Sequence, residues 1–131
     1  MRRRFLVSLA ALPLLAACSL QPELAAVQSR VVFFSNDATT LDDSGKAVVA
    51  EAAEIAKRYA GAPVNVLGYA GPPDRVGQNV VALSRQRAEA VAAELRAQGV
   101  PPVRIQVLPL GAVSYEASPV ESRRVEIRIA R

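Results

Sequence analysis

The stretch Arg124–Ala130 constrains the fold more than any other part of the chain: Val125, Ile127 and Ile129 alternate strictly with Arg124, Glu126 and Arg128. Successive side chains of a strand point to opposite faces, so this segment reads as a strand with one face buried and the other in water. Val103, Ile105 and Val107 alternate with Arg104 and Gln106 in the same way, giving a third strand. A sheet built from such strands is covered on one side only. Val31–Phe34 and Val64–Tyr69, rich in β-branched and aromatic residues, supply the first and second strands.

Between the strands the period changes from two to 3.6. Val48, Ala52, Ile55, Ala56 and Tyr59 recur at helical spacing, with Lys46, Glu51, Glu54, Lys57 and Arg58 mostly elsewhere. Asp42 or Asp43 is placed to cap this helix, and Gly61 and Pro63 stop it. Ser84, Ala88, Val91 and Leu95 form the stripe of a second helix, with Asn79 at its start and Gly99 at its C′ position ahead of Pro101 and Pro102. Ala70–Gln78, with Gly71, Pro72, Pro73 and Gly77, is predicted as a loop. The order is therefore β-α-β-α-β-β. With one sheet face covered, both helices belong on that face: an α/β (α+β) two-layer sandwich around a four-stranded sheet.

The first residues follow a different logic. Arg2, Arg3 and Arg4 precede an apolar run from Phe5 to Ala17 broken only by Ser8 and Pro13. A basic head and about thirteen apolar residues match a secretory signal peptide, whose apolar core is roughly 7–15 residues. A spanning helix needs roughly 20 apolar residues, and Pro13 would interrupt one. Cys18 is the single cysteine and the chain has no histidine. An intramolecular disulfide and a Cys/His metal set are thereby excluded. Leu15-Ala16-Ala17-Cys18 resembles the lipobox of bacterial lipoproteins. That resemblance implies cleavage before Cys18 and its acylation, against the alternative of an ordinary export signal and a chance cysteine. Ser19 stands where an aspartate would resemble an inner-membrane retention signal, so the outer membrane is implied, with the domain facing the periplasm. The expected organisation is a signal peptide over 1–17, a lipidated Cys18 and short tether over 18–29, and one domain over 30–131.

Charge and residue types remove several functions. The net charge of +4 is mostly that of the leader; without its three arginines, thirteen basic residues face twelve acidic ones. A nearly neutral domain without tryptophan is a poor partner for nucleic acid. There is no histidine base, no Gly-rich phosphate loop and no nucleophile elbow, so neither an enzyme nor a cofactor is expected. The adjacent carboxylates Asp42 and Asp43 suit a helix cap and dipole better than acid–base chemistry.

A set of spaced residues carries the functional expectation. Gly68-Tyr69-Ala70 leads through the Gly/Pro/Asp loop to Asn79, then Leu83-Ser84-Arg85-Gln86-Arg87-Ala88, Gly99-Val100 and finally Ser122-Arg123-Arg124-Val125-Glu126-Ile127. This resembles the OmpA-like domain, the peptidoglycan-binding module of outer-membrane proteins and Pal-type lipoproteins, from Val31 to Ile129. The resemblance implies non-covalent binding of the diaminopimelate stem peptide of peptidoglycan, and a tether between outer membrane and wall. Arg87 matches the family's arginine, suited to fork a carboxylate at the mouth of a cleft; an arginine stem laid over the helix edge is the other reading.

The matching aspartate is less direct, because Gly71 occupies its position. Asp74 fills the role if Gly71-Pro72-Pro73 is an insertion, since Asp74-Arg75-Val76-Gly77 then reproduces Asp-x-x-Gly; otherwise it is a turn carboxylate. The second alignment keeps Asn79 in register and adds one residue before Leu83. Asn79 reads as a cap beside the site, and Arg123 with Arg124 as a sheet-face pair. The altered loop leaves a second function open: the same fold, its peptidoglycan site degenerate, as an interaction module for another envelope protein.

Overall fold

In the computed structural model, which describes residues 28–36, 38–71, 79–112 and 122–129, the alternating last strand sets the architecture. The elements are β1 (Gln28–Phe33), α1 (Asp43–Arg58), β2 (Val64–Gly71), α2 (Val80–Ala97), a 3-10 turn (Pro102–Arg104), β3 (Ile105–Ala112) and β4 (Arg124–Ile129). The sheet order is β1-β4-β2-β3. β4 runs antiparallel to both neighbours, while β2 and β3 pair in parallel across the α2 crossover. Val125, Ile127 and Ile129 face the helices and are buried with Val32, Val64 and Val66; Val49, Ala52 and Ala56 of α1 and Ala88, Val91 and Leu95 of α2 close the core from above. The predicted four-stranded sheet with both helices on one face is the observed fold, and its pairing is mixed.

Four local readings are corrected. β1 begins at Gln28, two residues inside the predicted tether, and stops before Phe34, whose N–H donates to the Arg123 carbonyl at 2.9 Å. β2 continues through Ala70 and Gly71, because pairing with β3 persists across register shifts at Tyr69. Val103 is not in a strand: Pro101 and Pro102 lack the N–H groups a ladder needs, the chain turns there, and Val103 is 90% exposed. Arg123 precedes β4 and donates through Nε to the Phe34 carbonyl at 3.1 Å, so only Arg124 belongs to the sheet face.

Helix ends explain the loop chemistry. Asp42 caps α1, its Oδ1 accepting from the Gly45 N–H at 2.7 Å. At the other end Arg104 reaches across from the 3-10 turn. Its Nε donates to the Ala62 carbonyl at 2.9 Å and its Nη2 to the carbonyls of Ala56 and Tyr59 at 2.9 and 2.8 Å. A cation thus satisfies carbonyls that a helix C-terminus leaves unpaired. α2 ends in a Schellman motif: Gly99 at φ 96° donates to the Arg96 carbonyl and Val100 to that of Leu95, both at 3.0 Å.

The fold consequently has two distinct ends. One gathers Gln28, the starts of β2 and β3, the C-termini of both helices and the 3-10 turn. The other gathers the ends of β1, β2 and β3 and the N-termini of both helices. The eight residues of β2 separate these ends by about 25 Å at a rise of roughly 3.3 Å per residue.

The outer sheet face carries a charge network. Arg124 lies 4.2 Å over the Tyr69 ring and bridges Glu126 at 2.9 Å, which also accepts from Nε of Arg128 at 3.0 Å. Partial burial pushes the Glu126 carboxyl up, but hydrogen bonds and charge from Arg124 and Arg128 outweigh this and hold it below the ordinary value of about 4.5. A carboxyl depressed by folding stabilises the native state above its unfolded pKa and loses that contribution as pH falls through the folded pKa. Stability is therefore expected to decline below about pH 4.5, and Glu126→Gln should flatten this acid limb in urea titrations run across pH.

Candidate functional site

The site is built on a close approach of helix to sheet. A Cβ added to Gly68 would lie 2.1 Å from the Ser84 carbonyl oxygen and 3.0 Å from the Ala88 Cβ. Only glycine lets α2 descend this far onto β2. Ser84, Arg87 and Ala88 are one helical turn apart on that face, and all three are fully buried.

Ser84 serves the scaffold. Its hydroxyl donates to the Val81 carbonyl at 2.8 Å and accepts from the Gly111 N–H of β3 at 3.0 Å. Gly111 sits at φ 72°, outside ordinary strand geometry. Ser84→Ala leaves that buried N–H without its acceptor and is expected to cost about 1–3 kcal/mol in urea denaturation.

Arg87 is placed differently from the predicted helix-border position. Its guanidinium does not project from the mouth of a cleft; it is buried beneath the ends of β1 and β2. Nε donates to the Ala38 carbonyl at 2.9 Å, and Nη1 donates to the carbonyls of Ala70 at 3.0 Å and Tyr69 at 3.4 Å. Nη2 donates to the Asn36 carbonyl, and the guanidinium carbon lies 5.4 Å from the Phe34 ring centroid. Asn36 has φ 32°, a conformation asparagine tolerates better than most residues. Arg87 thereby ties the segment after β1 to the end of β2. Gly68 is the reason for the difference from the sequence reading: a helix held farther off would leave this side chain at the interface edge.

The other expected site residues divide clearly. Asn79 occupies the N-cap position of α2, exposed and without a side-chain capping bond. Asp74 and Cys18 lie outside the described residues. Asn36, Ala38 and Phe34, missed in the sequence, contribute backbone oxygens and a ring. Nothing in their side-chain types announces the oxygens; a glycine within the β2 pattern and a serine within the α2 stripe are the features from which the close packing could be read.

A groove of about 380 Å³ lies at the opposite end, lined by Arg30, Glu51, Glu54, Ile55, Arg58 and Tyr59. It mixes both charge signs, and its Arg30–Glu51 pair at 2.9 Å is internally satisfied. Among the described residues no group of acidic, cysteine or histidine side chains could hold a metal ion, and no helix is long and apolar enough to cross a membrane.

A one-faced α/β sandwich with a buried arginine pinning its strand ends defines a small two-layer domain. Residues 33–127 match the OmpA family, and the chain belongs to that family. It is 34% identical over 105 residues to the "Probable lipoprotein YiaD" of Escherichia coli K12, covering 76% of this chain and 48% of that protein. The chain thus spans about half the length of that relative. Among solved structures, the peptidoglycan-associated lipoprotein of Burkholderia pseudomallei superposes with a TM-score of 0.66 at 25% identity, over 76% of this chain and 88% of that one. The OmpA-like domain of FopA1 from Francisella tularensis (TM-score 0.65, 24% identity, 77% and 70% coverage) shares the fold. So does the periplasmic domain of Helicobacter pylori MotB (0.65, 19%, 76% and 69%).

Proposed function

We propose that this protein is a non-catalytic lipoprotein of the outer membrane that binds peptidoglycan non-covalently and tethers the membrane to the wall. The observation that carries the reading is membership of the OmpA family over residues 33–127. A peptidoglycan-associated lipoprotein and a probable lipoprotein among the similar chains support its setting.

The chemistry of the fold's two ends agrees with it. The ligand is the free end of the diaminopimelate side chain, with one carboxylate and one ammonium. Arg87 and the N-terminus of α2, whose first turn holds no acidic residue, bring positive charge to the far end of the sheet, which favours a carboxylate. Asp74 is the acceptor for the ammonium, and Asn79 borders the loop that carries it. Lipid on Cys18 holds the opposite end, ten residues ahead of β1. Ligand and membrane are then addressed from opposite ends of one domain.

Co-sedimentation of the full chain, solubilised in detergent, with diaminopimelate-type sacculi tests the reading. The wild type should pellet. Asp74→Asn should weaken binding by about one to two decades, the worth of one charge-assisted hydrogen bond of about 1.5–3 kcal/mol. Wild-type protein that stays in the supernatant refutes it. One observation favours a second reading, an interaction module for another envelope protein: Gly71 holds the place of the family's aspartate. Absent pelleting would select it, whereas pelleting unaffected by Asp74→Asn would keep peptidoglycan binding and remove only Asp74 from the site.

A further inference from the structure

We propose that the end of the domain opposite Arg87 is a foot that rests on the anionic phospholipid surface to which the chain is anchored. The inference rests on the lipid-anchor reading and adds a second, non-covalent membrane contact.

Three observations converge on this end. First, the 3-10 turn presents apolar surface to water: Pro101 and Pro102 are exposed, and Val103 is 90% exposed, the highest value among the exposed large hydrophobic side chains. Second, bases outnumber acids around it. Lys57 and Arg58 end α1, Arg96 ends α2 and Arg104 lies in the turn; of the nearby carboxylates Glu51 pairs with Arg30 and Glu54 with Lys57, leaving Glu94 beside them. Complementing the helix dipoles accounts for Arg104, which caps three carbonyls. It applies as well to Arg58 and Arg96 in the last helical turns, but their exposed side chains make no hydrogen bond or ion pair among the described residues and stay available to a ligand. It does not account for an apolar tip between them.

Third, chain length fixes what this end meets. Only residues 19–27 separate Cys18 from β1, and β1 starts at this same end. Ten residues of chain reach at most about 35 Å. The foot is therefore held within reach of the surface at high effective concentration, where weak contacts suffice. An apolar tip ringed by basic side chains suits the boundary between headgroups and acyl chains of an anionic leaflet. Seated this way, the domain points its Arg87 end away from the membrane.

The test uses the full chain recovered from the envelope and incorporated into vesicles of phosphatidylethanolamine and phosphatidylglycerol. Acylated Cys18 is blocked, so Val103→Cys provides a single thiol for a fluorophore, and Val81→Cys, 56% exposed in native Val81 and at the opposite end, provides the control. Vesicle flotation reads the anchor independently of the foot. The expected result is flotation of both proteins, with the label at 103 quenched by nitroxide lipids severalfold more than that at 81. Combining Arg58→Glu with Arg96→Glu in the Val103→Cys chain should leave flotation intact and shift the contact equilibrium about tenfold toward release. Flotation with equal quenching at both positions overturns the foot and spares the anchor. A chain that does not float overturns both.

Discussion

Gly68→Ala is expected to be the most damaging single-methyl addition in this domain, costing about 4 kcal/mol, well above the usual range for point substitutions. The added carbon would fall 2.1 Å from a backbone carbonyl oxygen of α2, not from the tip of a side chain that can rotate away. Relief requires lifting the helix, which also parts Ser84 from Gly111 and draws Arg87 from its carbonyls. For a domain of this size the loss corresponds to roughly 15–30 °C in Tm. Gly61→Ala is the matched control: its Cβ would meet nothing within 4 Å. It should be neutral, or stabilising by up to about 1 kcal/mol through the unfolded chain. Urea denaturation followed by circular dichroism checks both, and equal midpoints would show that α2 is not seated by Gly68.

This dependence on one close approach marks the boundary of what the sequence made legible. The fold class was readable because its signals are local. Strict alternation in Val125–Ile129 and the Ser84–Leu95 stripe each report burial of a face. The Gly99 cap lies where it was expected for the same reason. What failed depended on contacts between distant segments. Val103 has the right period for a strand, but two prolines in sequence turn the chain before any ladder forms. Arg123 and Arg124 look like a pair, yet the strand begins between them. The burial of Arg87 was invisible because its acceptors among the described residues include backbone oxygens of residues 36, 38, 69 and 70, to which composition is indifferent.

Those oxygens give the second large expectation. Arg87→Ala should destabilise the domain by about 3–5 kcal/mol, since a buried charged donor is removed and several carbonyls lose it together. Loss of sacculus binding by this variant would therefore not distinguish a ligand contact from a collapsed site. Arg87→Lys is the more informative change. Lysine keeps the charge but has one nitrogen with three donors, whereas the acceptors are shared among Nε, Nη1 and Nη2 of the planar guanidinium. It cannot hold the Asn36–Ala38 segment and the Tyr69–Ala70 strand end at once. We expect a cost of about 2 kcal/mol, with the variant folded at low temperature. Amide hydrogen exchange should then rise locally around Ala38 and Ala70 while β4 stays protected. If the folded lysine variant pellets with sacculi as the wild type does, Arg87 is a clamp and recognition belongs to the loop bearing Asp74. If it folds but fails to pellet, while Asp74→Asn is similarly impaired, charge alone is insufficient and the guanidinium geometry at the strand ends is part of the binding site.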